Sequence, residues 1–128
     1  MPDGVAGLVL AAGGSRRLGR PKQLLPYRGT TLLGHVVATA RDCAFDQLLV
    51  AVGGAADEVR ARVDLSGAEV VVNEEFGAGC SSSIAAALPA VDPRCGTLVL
   101  MLGDQPGVQP SSVRALVDGR VRFHHRAR

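Results

Sequence analysis

The sequence predicts an α/β fold in which helices cover both faces of a doubly wound, mainly parallel sheet, forming three αβα layers. Three observations indicate this fold. Short apolar runs recur along the chain, helix-like stretches separate them, and the composition is 47% hydrophobic with 16 glycines and no tryptophan. Alternating strands and helices are typical of doubly wound sheets, and the aromatic-poor composition does not suggest an all-β module.

Four apolar runs are predicted as strands. Each run is short, rich in Val or Leu, and nearly continuous rather than alternating with polar residues. Continuous runs are typical of strands that are covered on both faces, as in a parallel sheet. The predicted strands are Val5 to Leu10, Gln47 to Val52, Glu69 to Val72, and Thr97 to Leu102.

Helices are predicted between these strands and after the last one. Asp57 and Glu58 fall in the first turn of the second helix, where the helix dipole favours acids. Pro89 ends the third helix and Gly119 ends the fourth. The predicted helices are Leu32 to Cys43, Ala55 to Val63, Ser82 to Leu88, and Ser112 to Asp118.

A single domain over residues 1–119 accounts for these elements, and we interpret residues 120–128 as a solvated basic tail. A formal net charge of +2 is too small to indicate a nucleic-acid partner. The 3 cysteines form no CxxC pair, so they support neither a disulfide framework nor a zinc knuckle. Neither a signal peptide nor an apolar run of membrane-spanning length is seen, so we expect a cytoplasmic protein with no membrane partner.

A glycine-rich, cationic loop follows the first predicted strand. The chain from Leu8 to Lys22 reads LVLAAGGSRRLGRPK. Small residues let backbone N–H groups approach phosphate oxygens, while Arg offers a fork for two oxygens and Lys offers a point charge. This loop therefore predicts a polyphosphate site, with Arg17 and Lys22 as its cations.

Two better-known phosphate loops do not fit this segment. Gly14 and Gly19 have the Walker A spacing, but Arg20 and Pro21 follow where that motif requires Lys and Ser or Thr. Nothing from Gly13 onward matches the dinucleotide fingerprint G-x-G-x-x-G. The alternative is a glycine-rich turn with exposed arginines on a solvated helix, which explains the glycines well and the Pro-Lys pair poorly.

An acid follows the fourth predicted strand directly. Gly103 and Asp104 come after the apolar run that ends at Leu102, and Pro106 closes the turn. Mg²⁺ usually takes one or two carboxylates together with substrate phosphates, so Asp104 is a candidate metal ligand. The alternative is an Asp that only caps the turn before Pro106. The motif alone supports both readings equally, and the loop after Leu10 favours the metal.

Asn73 and a run of serines follow the third predicted strand. The hydroxyl groups of this run and the free N–H groups of the helix that it opens form a candidate anion or nucleobase site. The alternative for any single serine is an ordinary helix N-cap. Cys80 precedes the run, but no His lies nearby in the sequence to activate it as a nucleophile.

Together these motifs resemble the MobA/MocA-like NTP transferase family, which attaches CMP or GMP to molybdopterin. The resemblance extends to about Gly119, and it implies the nucleotide-diphospho-sugar transferase type of doubly wound sheet. It rests on three blocks in the family's order and at its spacing: Leu10 to Gly13 continuing through Pro21 to Pro26, Asn73 with Gly79 to Ser83, and Gly103 to Pro106.

The resemblance implies a nucleotidyltransferase that uses Mg²⁺ at Asp104 and releases pyrophosphate. It implies Lys22 as the main catalytic cation, assisted by Arg17. Ala-Ala before the glycine is similar to the cytidylyl-transferring branch, so CTP is expected over GTP, with a molybdopterin-type acceptor and a molybdoenzyme as partners. The implied nucleotide-binding residues are Leu10, Ala11, Ala12, Gly13, Gly14, Asn73, Gly79, Ser81 and Ser82.

Members of this family continue well beyond the length of this chain. The part expected to be absent would carry further strands, a second acidic residue of the metal site and much of the acceptor pocket. Nucleotide binding is therefore better supported than turnover, and a non-catalytic nucleotide- or pterin-binding module is an alternative. A sugar- or alditol-phosphate nucleotidyltransferase is another. An oxidoreductase on a related α/β sheet is a further alternative, although the missing dinucleotide fingerprint argues against it.

Overall fold

The computed structural model describes residues 3–12, 22–54, 56–74 and 80–119. Its strands, numbered in chain order, are β1 Gly4–Ala11, β2 Pro26–Tyr27, β3 Thr30–Thr31, β4 Gln47–Val52, β5 Glu69–Val72 and β6 Cys95–Leu102. Four of them form one parallel sheet in the order β5-β4-β1-β6, and β2 and β3 form a separate antiparallel hairpin. The fold is therefore the expected α/β class with a mainly parallel central sheet.

Four α-helices connect or follow these strands. They are α1 Leu32–Asp42, α2 Ala56–Arg62, α3 Cys80–Ala87 and α4 Pro110–Gly119, with short 3₁₀ turns at Lys22–Leu24 and Leu88–Ala90. None of the helices in the described part of the chain has the length and apolar character that a membrane crossing requires.

The path of the chain explains why helices lie on both faces. From β1 the chain moves outward to β4 and β5 through α1 and α2, then returns past β1 to form β6 on its other side. Because parallel crossovers are right-handed, this reversal places α3 on the opposite face from α1. Val9 and Val50 accordingly pack in one buried cluster with Val37 of α1, whereas Leu8 packs in another with Ala87 of α3.

The register brings the carboxyl ends of the four strands to one level edge. Ala11 pairs with Val52, Val52 pairs with Val72, and Leu10 pairs with Leu102. The segments after Leu10, Val72 and Leu102, which carry the three sequence motifs, consequently leave the sheet at this shared edge. The strand order reverses between β1 and β6, and open α/β sheets bind ligands in the crevice at such a reversal.

The predicted strands are confirmed to within two residues at each end, and the predicted helices differ mainly at their starts. α3 begins at Cys80 rather than Ser82, so Ser81 lies inside its first turn instead of preceding it. α4 begins at Pro110, two residues before the predicted Ser112. The hairpin of β2 and β3 was not predicted.

Candidate functional site

The candidate site is built around the carboxyl ends of the two neighbouring strands β1 and β6. The Gly103 backbone N–H donates to the Leu10 carbonyl oxygen at 3.0 Å, which extends the pairing one residue beyond β6. Ala11 and Ala12 are buried, with 3% and 5% of their surface exposed. The strand that precedes the cationic loop and the strand that precedes the acid therefore end side by side.

Gly103 is required where these two strands end. A Cβ atom at this position would lie 2.9 Å from the Leu10 carbonyl oxygen and 3.1 Å from Cδ1 of Leu33 in α1. Only glycine lets the backbone pass this close to β1 without a shift of the neighbouring atoms. Asp104 follows directly and is half-buried. The close approach of Gly103 to β1 therefore fixes where the backbone of Asp104 lies.

Asn73 anchors a polar cluster at the end of β5. Its backbone N–H donates to the Val52 carbonyl oxygen at 2.7 Å, continuing the pairing with β4. Its side-chain Nδ2 donates to Oγ of Ser82 at 2.9 Å and to Oγ of Ser83 at 3.0 Å. Asn73 and Ser83 are buried, at 4% and 3% exposed. The cluster thus ties the end of β5 to the first turn of α3.

Asn73 and Asp104 belong to opposite ends of the same edge. β5 and β6 are separated by β4 and β1, which corresponds to about 14 Å at the usual spacing of neighbouring strands. A single metal ion cannot touch both residues across this distance. They can instead contact different parts of one extended ligand that lies along the strand ends.

A buried glutamine joins the start of the 3₁₀ turn at Lys22–Leu24 to β1. Gln23 is 6% exposed, and its Nε2 donates to the Ala11 carbonyl oxygen at 2.9 Å. Leu24 is fully buried in the same cluster as Leu33 of α1. The chain that returns from the cationic loop is therefore fastened to the end of the strand from which the loop departs.

The described residues include only part of the predicted site. Leu10, Ala11, Ala12, Asn73 and Asp104 lie at the shared edge of the sheet, and Ser81 and Ser82 lie in the first turn of α3. Ser82 contacts Asn73, while Ser81 is exposed. The backbone of Lys22 starts the 3₁₀ turn. The predicted residues Gly13, Gly14, Arg17 and Gly79, and the side chain of Lys22, lie outside the described residues.

The donor chemistry at this edge suits a hard cation that is shared with phosphates. Among the described residues, no three His, Cys, Asp or Glu side chains are grouped so that they could enclose a metal ion. Asp104 brings one carboxylate to the end of β6, and Mg²⁺ usually takes one or two carboxylates when phosphate oxygens complete its coordination. The residues present therefore fit a metal held jointly with a ligand, and they do not form a closed protein cage.

Two residues of the site were not singled out in the sequence prediction. Gln23 and Ser83 are both buried polar residues whose side chains hydrogen-bond to the motif residues Ala11 and Asn73. Ser83 could have been found by its place in the serine run. Gln23 carries a weaker signal, namely an amide side chain directly before the apolar pair Leu24 and Leu25.

A surface cavity at the opposite, amino-terminal edge of the sheet shows a different chemistry. It is lined by Asp46, Asp92, Arg94 and Cys95, among others. Oδ2 of Asp46 accepts from the Val5 N–H at 2.7 Å, and Asp92 forms an ion pair with Arg94 at 2.8 Å. Asp46 hydrogen-bonds to the start of β1, and Asp92 and Arg94 pair with each other just before β6. These charged groups therefore already have structural partners, and we propose no function for the cavity.

Comparison with known proteins shows the family to which this chain is similar. The family model described as the MobA-like NTP transferase domain matches residues 7–126. Nicotine blue oxidoreductase of Paenarthrobacter nicotinovorans is 37% identical over 123 residues, which are 95% of this chain and 57% of that protein. The bifunctional protein GlmU of Burkholderia ambifaria is 41% identical over 114 residues, which are 87% of this chain and 24% of that protein.

Solved structures are also similar to this chain. The crystal structure of Rv0371c from Mycobacterium tuberculosis H37Rv superposes with a TM-score of 0.85 at 51% identity, covering 93% of this chain and 61% of that chain. The same protein in complex with manganese superposes with a TM-score of 0.79 at 49% identity, covering 90% and 58% of the two chains. The chain thus spans about three fifths of the length of nicotine blue oxidoreductase and of Rv0371c, and about a quarter of the length of GlmU.

Proposed function

Because the chain belongs to the MobA-like NTP transferase domain family, we propose that it binds a nucleoside triphosphate with Mg²⁺ and transfers the nucleoside monophosphate to a phosphorylated acceptor, releasing pyrophosphate. CTP is the favoured nucleotide, and a molybdopterin-type cofactor is the favoured acceptor. A molybdoenzyme that receives the product is the proposed protein partner, and the cytoplasm is the proposed location. Residues 1–119 are the proposed transferase domain.

The observation that carries this proposal is the meeting of two motifs at the reversal of the strand order. The Gly103 N–H donates to the Leu10 carbonyl oxygen at 3.0 Å, so Asp104, the acid that follows β6, lies immediately beside the origin of the cationic loop. Where the chain leaves that loop, the Gln23 side chain donates to the Ala11 carbonyl oxygen at the same strand end. A triphosphate in this crevice would contact cations of the loop after β1 and the carboxylate that follows β6.

The proposed reaction is an attack by a phosphate oxygen of the acceptor on the α-phosphorus of the triphosphate. A new phosphorus–oxygen bond forms, the bond to the bridging oxygen breaks, and pyrophosphate leaves with the electron pair. The protein's part is to position both reactants and to neutralise developing charge, as in other phosphoryl transfers. Lys22 is assigned to the α-phosphate, and Arg17 with the loop N–H groups to the β- and γ-phosphates.

The remaining site residues are assigned to the metal and the base. A metal beside Asp104, when bound, would neutralise phosphate charge. The cluster of Asn73, Ser82 and Ser83 lies about 14 Å along the same edge, and it is assigned to the nucleobase end. The buried Ala11 and Ala12 leave the backbone of the turn as the group that contacts the base.

Nucleotide binding is tested by thermal unfolding with CTP, GTP, ATP and UTP, each with Mg²⁺. A ligand present at about one hundred times its dissociation constant stabilises the fold by roughly 2.7 kcal/mol, so the expected result is a clear rise in melting temperature with CTP. Asp104→Asn should reduce the rise. Asp118→Asn, a change of the same charge at an exposed position of α4, should not. Absence of a shift with all four nucleotides would contradict the proposal.

Turnover is tested by pyrophosphate release with CTP, Mg²⁺ and molybdopterin. Lys22→Ala should abolish release while the domain stays folded, because loss of one preorganised charge typically costs about a hundredfold or more in rate. Arg41→Ala, which removes a cation whose side chain bonds to Asp64 and Ser66 away from the carboxyl edge, serves as the control. Wild-type turnover in Lys22→Ala would refute the assigned role. Nucleotide binding without release by the unmodified chain would favour a binding module.

An oxidoreductase is the second candidate function, because one relative of 37% identity is named nicotine blue oxidoreductase. The sequence lacks the dinucleotide fingerprint, which argues against a nicotinamide cofactor in the usual loop. The two functions are separated by thermal unfolding with NADH, NADPH or a flavin. A rise in melting temperature with one of these, and none with any triphosphate, would favour the oxidoreductase.

A further inference from the structure

Gln23 is a buried polar side chain directly after the cationic loop, and neither the sequence motifs nor the family assignment gives it a role. It is 6% exposed, and its Nε2 donates to the Ala11 carbonyl oxygen at 2.9 Å across 12 positions of the sequence. A buried amide without a hydrogen-bond partner loses its hydration and gains nothing in return. This bond is therefore strongly favoured in the folded chain. It links the last residue of β1 to the turn that contains Lys22.

The other side of the same turn is fixed by packing. Leu24 is fully buried in the cluster that contains Leu33 and Val36 of α1. The Leu32 N–H, at the start of α1, donates to the Leu25 carbonyl oxygen at 2.9 Å. The turn at Lys22–Leu24 is therefore held between β1 and α1, and the bond of Gln23 is its polar fastening to the strand.

From this arrangement we infer that Gln23 is a positioning residue: it holds the backbone of Lys22 at the end of β1, where the transferred phosphate is proposed to lie. The inference rests on the proposed function for its effect on turnover. A displacement of about 1 Å at a positioned group can cost about a hundredfold in rate, because the reacting groups must be held in near-attack geometry. Gln23 itself touches neither reactant in this assignment.

The test compares the same substitution at two glutamines at opposite edges of the sheet. Gln23→Met removes the donor at nearly constant volume. Gln47→Met does so at the amino-terminal edge, where Nε2 of Gln47 donates to the Ala90 carbonyl oxygen at 2.8 Å and its Oε1 accepts from the Asp92 N–H at 2.8 Å. Both variants should lower the melting temperature, since both lose a structural hydrogen bond. Only Gln23→Met should lower kcat per folded molecule, by about tenfold to a hundredfold, with KM for the triphosphate within about twofold of wild type.

A second readout follows Lys22 without requiring activity. Lys22 is the only lysine of the sequence, so reductive methylation with ¹³C-formaldehyde labels one side chain besides the terminal amine. The Lys22 methyl resonance of the ligand-free protein should move in Gln23→Met and in Gln23→Glu, which keeps the length of the side chain and loses the amide donor. It should stay in place in Gln47→Met.

The outcomes separate this inference from the proposed function. Failure of the unmodified chain to bind a triphosphate or to release pyrophosphate contradicts the proposed function. The Lys22 resonance then still tests the positioning role of Gln23. A Lys22 resonance that coincides in Gln23→Met and wild type, or an unchanged kcat per folded molecule, overturns the inference. If neither Gln23 variant folds, exchange of the Gln23 side-chain amide protons in wild type decides. Exchange as fast as that of the exposed Gln109 overturns the inference.

Discussion

At the scale of single residues, Gly103 shows how tightly the two strand ends at the candidate site approach each other. A Cβ at this position would lie 2.9 Å from a backbone oxygen of Leu10, which cannot rotate away as a flexible side chain could. We expect Gly103→Ala to lower the free energy of unfolding by about 1 to 3 kcal/mol, measured by urea denaturation, because the substitution overpacks a buried contact.

Gly107 supplies the matched control for this substitution. It lies four residues further along, a Cβ there would meet nothing within 4 Å, and its φ is outside the left-handed region. Gly107→Ala should leave stability unchanged or slightly increase it, since alanine restricts the unfolded chain. Equal losses in the two variants would show that the close approach of Gly103 to β1 is not the cause.

Asp92 gives a pH dependence whose sign can be worked out. Hydrogen bonds from the Arg94 side chain and from the Arg94 backbone N–H lower the pKa of Asp92 from 3.8 to about 2. The folded state therefore favours the carboxylate, and its contribution to stability is complete above about pH 4 and is lost as the pH falls towards 2. The difference in unfolding free energy between wild type and Asp92→Asn should shrink over this interval. NMR titration of the Asp92 carboxyl carbon with a midpoint near 4 would contradict the assignment.

At the scale of elements, α1 depends on a side-chain cap at its first turn. Oγ1 of Thr31 accepts from the Gly34 N–H at 2.9 Å, and Thr31 has the extended conformation of an N-cap. Thr31→Ala should cost about 1 kcal/mol in urea denaturation, because a backbone donor in the first turn loses its partner. Thr31→Ser, which keeps the hydroxyl, should retain most of the stability. A similar loss in both variants would assign the effect to packing of the threonine methyl group.

β4 is an element that the sequence pattern predicted well, and its residues are buried on both faces of the sheet. Leu49 and Val50 are adjacent in β4, point to opposite faces and are both fully buried, which is why the apolar run is continuous. The hairpin of β2 and β3 left no such signal. Its strands have two residues each, and its turn places Arg28 and Gly29 at φ values of 47° and 82°. Arg is not a residue whose presence indicates a positive φ.

At the scale of the whole molecule, sequence patterns predicted which strand ends carry the functional motifs but not how those ends are arranged. Asp104 follows β6 beside the origin of the cationic loop at β1, and Asn73 follows β5, three strand positions from β6; both placements depend on the strand order β5-β4-β1-β6. That order depends on pairing between strands far apart in the sequence, a property that no local pattern encodes. The bond of Gln23 to Ala11 was missed for the same reason, since its partners come together only in the folded chain.

The same strand order predicts an uneven distribution of stability across one face of the sheet. Leu49 in β4 is fully buried in the cluster that α3 covers, whereas Leu100 in β6 is 47% exposed. Leu49→Ala should therefore cost about 2 to 5 kcal/mol, because it leaves a cavity in a packed core. Leu100→Ala should cost no more than about 1 kcal/mol, because much of that side chain already meets solvent. Urea denaturation of both variants checks the pair. A cost for Leu100→Ala as large as that for Leu49→Ala would mean that the α3 face is covered across β6 as well, and that the stable unit in solution buries more of β6 than the described chain does.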